Sequence, residues 1–530
     1  MRPNTGDRKR GTILYLALLF VAVINMLALA YVKCIPVEAN SFLRSQRALV
    51  AHYVAEAGIT DSMAWITFEL LNGREPTPSG PVTRTGTHDG WTWRVTITPD
   101  ADSPPGGTAS LRFYEVMSEA ISPNSSAPAR RIRATMGEET FARYTNYTDE
   151  FGWVYYNLIS GGPFIQGHVH TNTFFRMLPS DAVYTSTSGP TFQGRVTSAQ
   201  TASAPWQRDG VDYQDMDQAP YDATGTPIGD RYERLYSGGQ AGLNTGTSRI
   251  EMPNTAMGLA VRAWGEDTPR PTADGVHINV VGEVKGGVYV VGDIKSLVLE
   301  DLGGVSKYTI KQEFTPGVEQ TSVVIEAHEG SYDLEGQSVP PGHTGIKRHD
   351  GGINVFTGLP NGVIHSTGSI LGLRGVNRGP RLISADLESN KKIVISGDIT
   401  RGDTPPGSVP NGSRDVMGLV CYQIEISRDV PRDSGDPLYL YLSYLAGKEE
   451  SYPLGGFKVI DYDDNTLGRG SYYHYGSAGA GRTYPTGMGS TTGFGFRQYF
   501  DQHLINNPPP FFPTTGKLPI RSWREEDANL

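Results

Sequence analysis

From Thr12 to Val32 the chain reads TILYLALLFVAVINMLALAYV, 21 residues with no charge and one strongly polar side chain, Asn25. At about 1.5 Å rise per residue, a helix of that length crosses a hydrocarbon layer roughly 30 Å thick. The pattern predicts a membrane span over 12–32 behind a basic leader, 1–11, that carries Arg8, Lys9 and Arg10. Past Pro36 no proline occurs until Pro76, and Val37 to Leu71 reads as a long helix. Val50, Val54 and Ala57, then Met63, Ile66 and Leu70, recur at three- and four-residue steps and form an apolar stripe. Gly58 weakens that helix locally.

The period then changes. Trp91 to Ile97 alternates as a strand does, and Ala109 to Ile121 and Arg130 to Tyr147 alternate loosely. With the helix, these predict a small α+β unit over 33–150, a helix laid on a short antiparallel sheet. From 151 to 530 short apolar runs are separated by glycine corners. They include Phe164 to Asn172, Gly275 to Gly282, Gly286 to Ile294, Gly362 to Ile370 and Lys392 to Ile399, with a polar excursion over 199–250. Strands of about four residues with tight corners and no helices suit a parallel β-solenoid, in which each rung stacks on the next. The competing fold is a β-sandwich. The expected class is therefore mainly β, with a long N-terminal helix. The run Pro508 to Pro513 reads as an extended strip that covers the end of the stack and its β edge.

Composition agrees with short strands and many turns: 64 glycines and 36 prolines stand in 530 residues. A net charge of −10 argues against a nucleic-acid partner, because phosphate backbones are tracked by basic surfaces. The basic N-terminus points instead to a cytoplasmic flank beside anionic lipid, with the bulk of the chain periplasmic or extracellular. Two cysteines, Cys34 and Cys421, rule out a disulfide framework and leave either one bridge or two free thiols.

The apolar segment has three readings: a signal anchor, a secretory signal cut after Ala28-Leu29-Ala30, or a prepilin-type leader ending at Lys9-Arg10-Gly11. Arg10-Gly11, the apolar run and SQRALVAHYVAEAGITDSMAWI (Ser45 to Ile66) together resemble the N-terminal domain of PilX-type pilus-assembly proteins, which are minor pilin-like proteins. Ala55-Glu56-Ala57-Gly58-Ile59 is the most specific piece. The resemblance covers about the first 70 residues. It implies cleavage after Gly11, a mature start at Thr12 and pilin-like subunits as partners. Major pilins carry a glutamate five residues into the mature chain, whereas Leu16 stands here. The later region resembles a Gly-rich bacterial domain of unknown function. The likeness rests on His168 to Asn172, Gly287-Val288-Tyr289, Gly362 to His365, Lys391 to Ile399, Met417 to Val420 and the Pro508 to Pro513 run. It implies architecture and no chemistry.

Candidate chemistry is sparse. His168 and His170 alternate on one strand, and with His365 or His277 they can be drawn as metal ligands; polar rung residues are the plainer reading. Asp461 and Asp463, in Asp461 to Asn465, form a carboxylate loop without the spacing of a calcium loop. Asp386 with Glu388, or Glu300 with Asp301, are carboxylate pairs of the kind glycan chemistry uses, though neighbours on a strand face opposite ways. Arg401-Gly402-Asp403 matches an adhesion tripeptide that recurs by chance. Tyrosine and tryptophan are abundant enough for a glycan platform, although stacking between rungs uses the same residues. No catalytic residue and no cofactor are assigned. The expected role is structural: a minor pilin-like or surface-displayed component of a type IV pilus or related secretion system. The alternative is a membrane-anchored enzyme or binding protein for polysaccharide.

Overall fold

The computed structural model describes residues 7–71, 76–77, 80–99, 111–125, 127–149, 155–158, 165–173, 175–179, 190–200, 207–208, 211–213, 219–222, 224, 226–253, 257–265, 269–315, 318–328, 331–387, 391–410, 412–430, 436–447, 455–464, 468–484, 486–488 and 492–526. The fold is mainly β with one long N-terminal helix. The chain divides into two compact units: residues 1–101, 113–137 and 518–530 form one, and 102–112 with 138–517 form the other.

In the first unit, helix α1 runs unbroken from Asp7 to Leu71, 65 residues with Pro36 inside it. The proline has no N–H to offer the carbonyl of Val32, yet the helix continues through it. The apolar part from Ile13 to Val32 is exposed along its length, which makes it a candidate membrane span or signal sequence. Burial begins at Ala51 and follows Val54, Ala55, Ile59, Ser62 and Ile66. The stripe is thus turned from the one read in the sequence: Val54 and Ile66 belong to it, whereas Val50 is exposed. Small residues decide the difference. A Cβ at Gly58 would lie 2.4 Å from Ser118 Oγ and 2.8 Å from Val95 Cγ2, so the helix settles on the sheet where it has no side chain. Gly58 is a contact point rather than a weakness.

The sheet beneath α1 is antiparallel. β1 (Val82–His88), β2 (Trp91–Pro99), β3 (Phe113–Ile121) and β4 (Pro128–Gly137) pair in order, and the C-terminal strand Ile520–Glu526 adds to β4. Val95, Ile97, Tyr114, Val116, Ile132, Ala134 and Met136 face α1 and are buried. On the other face Glu119 of β3 binds Arg94 of β2 at 2.6 Å and Arg131 of β4 at 2.7 Å. Burial raises the Glu119 pKa, but its two arginines outweigh that and hold it below the usual range. Opposite charges placed side by side on adjacent strands pin the register.

The second unit is built on two large sheets of 11 and 14 strands. In the first, Val288–Val291, Val363–Ser366, Arg381–Ala385, Met417–Cys421, Ser443–Ala446, Ala478–Ala480, Tyr144–Thr148, His168–Thr171, Val196–Ser198 and Leu243–Asn244 stack in parallel; Gly275–His277 closes one edge antiparallel. Ile364 lies beside Ile383, and Ile383 beside Leu419, all essentially without exposure. The second sheet carries the partner strands Ser296–Asp301, Ile370–Asn377, Lys392–Arg401, Leu438–Leu440, Gly468–Tyr475 and Thr492–Tyr499, also parallel. It extends into an antiparallel meander from Ser306–Thr315 to Ile353–Thr357. Tyr144–Thr148, expected in the α+β unit, belongs to this larger body. The polar excursion rejoins the stack at Leu243–Asn244; residues 201–206, 209–210, 214–218, 223 and 225 within it lie outside the described residues.

The middle of the first large sheet is buried on both faces, as the all-buried strands Arg381–Ala385 and Met417–Cys421 show. One face joins the core between the sheets. The other carries Leu382, Val420 and Leu445 and packs with Ile250, Leu259, Ala260, Leu504 and Phe512. The proline run therefore covers a sheet face and not the end of the stack. Pro509 and Phe512 sit where a Cβ on Gly418 would lie, and Pro510 is beside Gly362. Apolar side chains pointing outward demand such a cover, and the sequence expectation overlooked them. Cys34 is exposed and Cys421 buried, and both thiols are free.

Candidate functional site

His170 is the best-fixed of the singled-out residues. Its Nδ1 lies 2.7 Å from Thr197 Oγ1 and its Nε2 3.0 Å from Asn172 Oδ1, and its ring stacks on Tyr147. Asn172 donates in turn to Tyr147 OH, Asp149 Oδ1 and Ile250 O, and accepts from Ile250 N. Burial lowers the His170 pKa to about 4, against the opposing bond to Asn172. The imidazole is neutral, with both nitrogens engaged. His168 is half-buried, and burial and then Arg143 lower its pKa. Five strands stand between His170 and His365 in sheet order. At about 4.8 Å per strand that separation is roughly 25–30 Å, so they cannot share an ion. His277 bonds Ala273 O in a strand beyond His365. Among the described residues no group of three His, Cys, Asp or Glu side chains is placed to hold a metal ion.

The acidic loop is a turn closed by a cation. Asp461, at φ +52°, meets Arg428 Nε at 3.2 Å, and Asp464 meets Arg428 Nη2 at 3.5 Å. Asp463 points to solvent, and Asn465 lies outside the described residues. Glu300 pairs with Lys307 at 3.0 Å, and Asp301 accepts from Gly304 N. Glu388 lies outside the described residues. Asp386 instead meets His365 Nε2 at 3.3 Å, and His365 Nδ1 lies 2.9 Å from Ser384 Oγ. This is not a hydrolase triad: the serine faces Nδ1 and the carboxylate faces Nε2, the reverse of the working order, Nε2 makes no hydrogen bond among the described residues, and Ser384 and His365 are wholly buried.

Arg401 of the adhesion-like tripeptide is buried and bonds Asp501 Oδ2 at 2.9 Å. Asp403 accepts from Ser413 Oγ at 2.7 Å and Thr404 Oγ1 at 3.0 Å. The tripeptide is a structural corner. The tyrosines stack on one another across strands: Tyr441 on Tyr475 at 4.3 Å and Tyr475 on Tyr499 at 5.0 Å. The Tyr475 ring is thus covered on both faces, by Tyr441 and by Tyr499.

One cleft, of about 360 Å³, opens where the chain turns from Val288–Val291 into Ser296–Asp301. Asp274, Asp293, Glu313, Lys295 and Gln312 line it. Lys295 Nζ lies 2.6 Å from Glu313 Oε2, and Asp293 Oδ1 accepts from Ser369 N at 2.7 Å. Gln312 Nε2 donates to Val291 O at 2.9 Å. Sequence reasoning missed this group because its members come from three separate stretches and share no local motif. Gly11 and Thr12 lie within α1. Compared with protein-family models, with curated proteins and with solved structures, the chain matches none.

Proposed function

We propose that the protein is a structural, membrane-anchored component of a type IV pilus or related secretion system, pilin-like at its N-terminus and displaying a large β body. The observation that carries this reading is α1. One unbroken helix exposes an uncharged apolar stretch at its start and lays its last third on an antiparallel sheet. The basic residues ahead of the apolar stretch favour a cytoplasmic N-terminus, which leaves the body periplasmic or extracellular. The body is read as a parallel β-solenoid. The in-register parallel pairing and the apolar columns running from strand to strand support that reading.

Replacing Gly11 with valine tests the assignment in cells. Loss of leader processing and of extracellular assembly is the expected result. A Gly11→Val protein that assembles as the parent does would remove the main support. Glycan turnover that vanishes with one Asp or Glu substitution would contradict the structural role.

A further inference from the structure

We propose that α1 pairs with α1 of a second copy of this chain, in a parallel two-stranded coiled coil that starts inside the membrane and ends at Tyr53. The inference rests on the reading of 12–32 as a membrane span and not on the pilus assignment. Beyond the span, α1 leaves large apolar side chains in water: Phe42 is 63% exposed, Leu49 54% and Tyr53 57%. They are not scattered. Ile35, Ala39, Phe42, Gln46, Leu49 and Tyr53 follow one another at alternating steps of four and three, the a and d positions of a heptad. Leu43 and Val50, also exposed, flank that seam at e. The charges of the same stretch, Lys33, Glu38, Arg44 and Arg47, all fall outside a and d. The sheet beneath α1 cannot cover the seam. Ala51, Val54, Ala55 and Gly58, which are buried on that sheet, occupy b, c and f on the opposite side of the helix.

A second observation lies in the membrane segment. Continued backwards, the same steps pass through Val32 and Ala28 to Asn25, the one strongly polar side chain of the span. Asn25 is exposed on the helix, and in hydrocarbon its amide finds no water to bond. The polar residue that needs a partner and the apolar stripe that needs a cover therefore lie on one line. A second copy of the chain answers both. Its anchor enters the membrane in the same direction, so the two helices run parallel, and each a position then faces its own counterpart. Asn25 meets Asn25, and each amide donates to the other. Gln46 meets Gln46 in the same way, and polar residues at a fix the register. From Leu14 to Tyr53 the seam is roughly 60 Å long and about 10 Å wide, on the order of 600 Å² per copy, which reaches the low end of stable interfaces.

Single-cysteine crosslinking of the full chain in liposomes tests this. Cys34, which is exposed, is replaced by serine, and Cys421 is buried and stays reduced. Cysteines are then placed on the seam, Gln46→Cys and Leu49→Cys, and off it at b and c, Asn40→Cys and Ala48→Cys. All four sites are exposed, so the substitutions leave the fold intact. Mild oxidation should give at least five-fold more disulfide-linked dimer from the seam positions. Asn25→Leu keeps the span apolar and should lower the Gln46→Cys yield at least three-fold. Equal yields at the four positions, or a Gln46→Cys yield untouched by Asn25→Leu, would overturn the pairing. A carbonate wash of the same liposomes separates that failure from failure of the anchor: protein released by the wash would refute the membrane span, and the proposal with it.

Discussion

Single residues of this protein are constrained mainly by what the neighbouring strand places against them. A Cβ on Gly455 would lie 1.8 Å from Tyr422 O, and one on Gly287 would lie 2.0 Å from Val363 O. Gly455→Ala should therefore destabilise the body by about 1–3 kcal/mol, the range for overpacking. Gly258 is the second residue of the helix Met257–Trp264, with nothing within 4 Å of its Cβ position. Gly258→Ala should be neutral or stabilising by up to about 1 kcal/mol. Thermal melts of the two variants check the contrast, and equal effects would show that the strand contacts are not close. Arg401 and Asp501 form an ion pair buried on both sides. Arg401→Met leaves the Asp501 carboxylate unpaired and should cost about 3–5 kcal/mol, while replacing both partners by apolar residues should recover most of it. A double-mutant cycle reads that coupling.

Two histidines make stability depend on pH. Burial lowers the pKa of both His170 and His474 to about 4. An unfolded chain takes up these protons near pH 6.5, so between 6.5 and 4 it binds protons that the folded chain refuses. Stability must then rise with pH across that window and fall on acidification, by about 2 kcal/mol per histidine between pH 7 and pH 5. His474→Gln should flatten the dependence, measured by denaturant unfolding at the two pH values. An unchanged slope would mean that His474 does not stay neutral.

At the scale of elements, the pattern of apolar residues revealed the N-terminal helix, the strand at Trp91 and the short parallel strands with their glycine corners. Three things were not legible, each for a physical reason. The buried stripe of α1 is set by small residues, Ala51, Ala55 and Gly58, which hydrophobicity ranks low and close packing ranks high. The strand Ile520–Glu526 is exposed and charged, as a sheet edge must be, and so carries no apolar alternation. The cleft depends on Asp274, Asp293 and Gln312 meeting through pairings distant in sequence, which no local spacing encodes. The C-terminal strand gives a prediction of its own. Its Glu526 binds Arg133 at 2.9 Å, and Glu525 pairs with Arg130 and His52. Ending the chain at Pro519 removes one strand and these pairs while keeping Leu518 in the core. The first unit should lose stability and become more open to proteolysis at β4, and unchanged amide protection there would refute the role.

The order of strands in the whole second unit is unlike the order of the chain. The strand Tyr144–Thr148 lies beside Ala478–Ala480, so an early strand of the body pairs with a late one in the middle of the stack. From there the chain builds one way to Leu243–Asn244, then resumes at Val288–Val291 and builds back to Ala478–Ala480. The proposed pilin-like role requires entry into the prepilin pathway, and the mature N-terminus of the native protein, read by intact-mass and N-terminal peptide mass spectrometry, decides it. A start at Thr12, with an N-methylated amine, is the predicted result. An intact Met1, or a start at Tyr31, would contradict it.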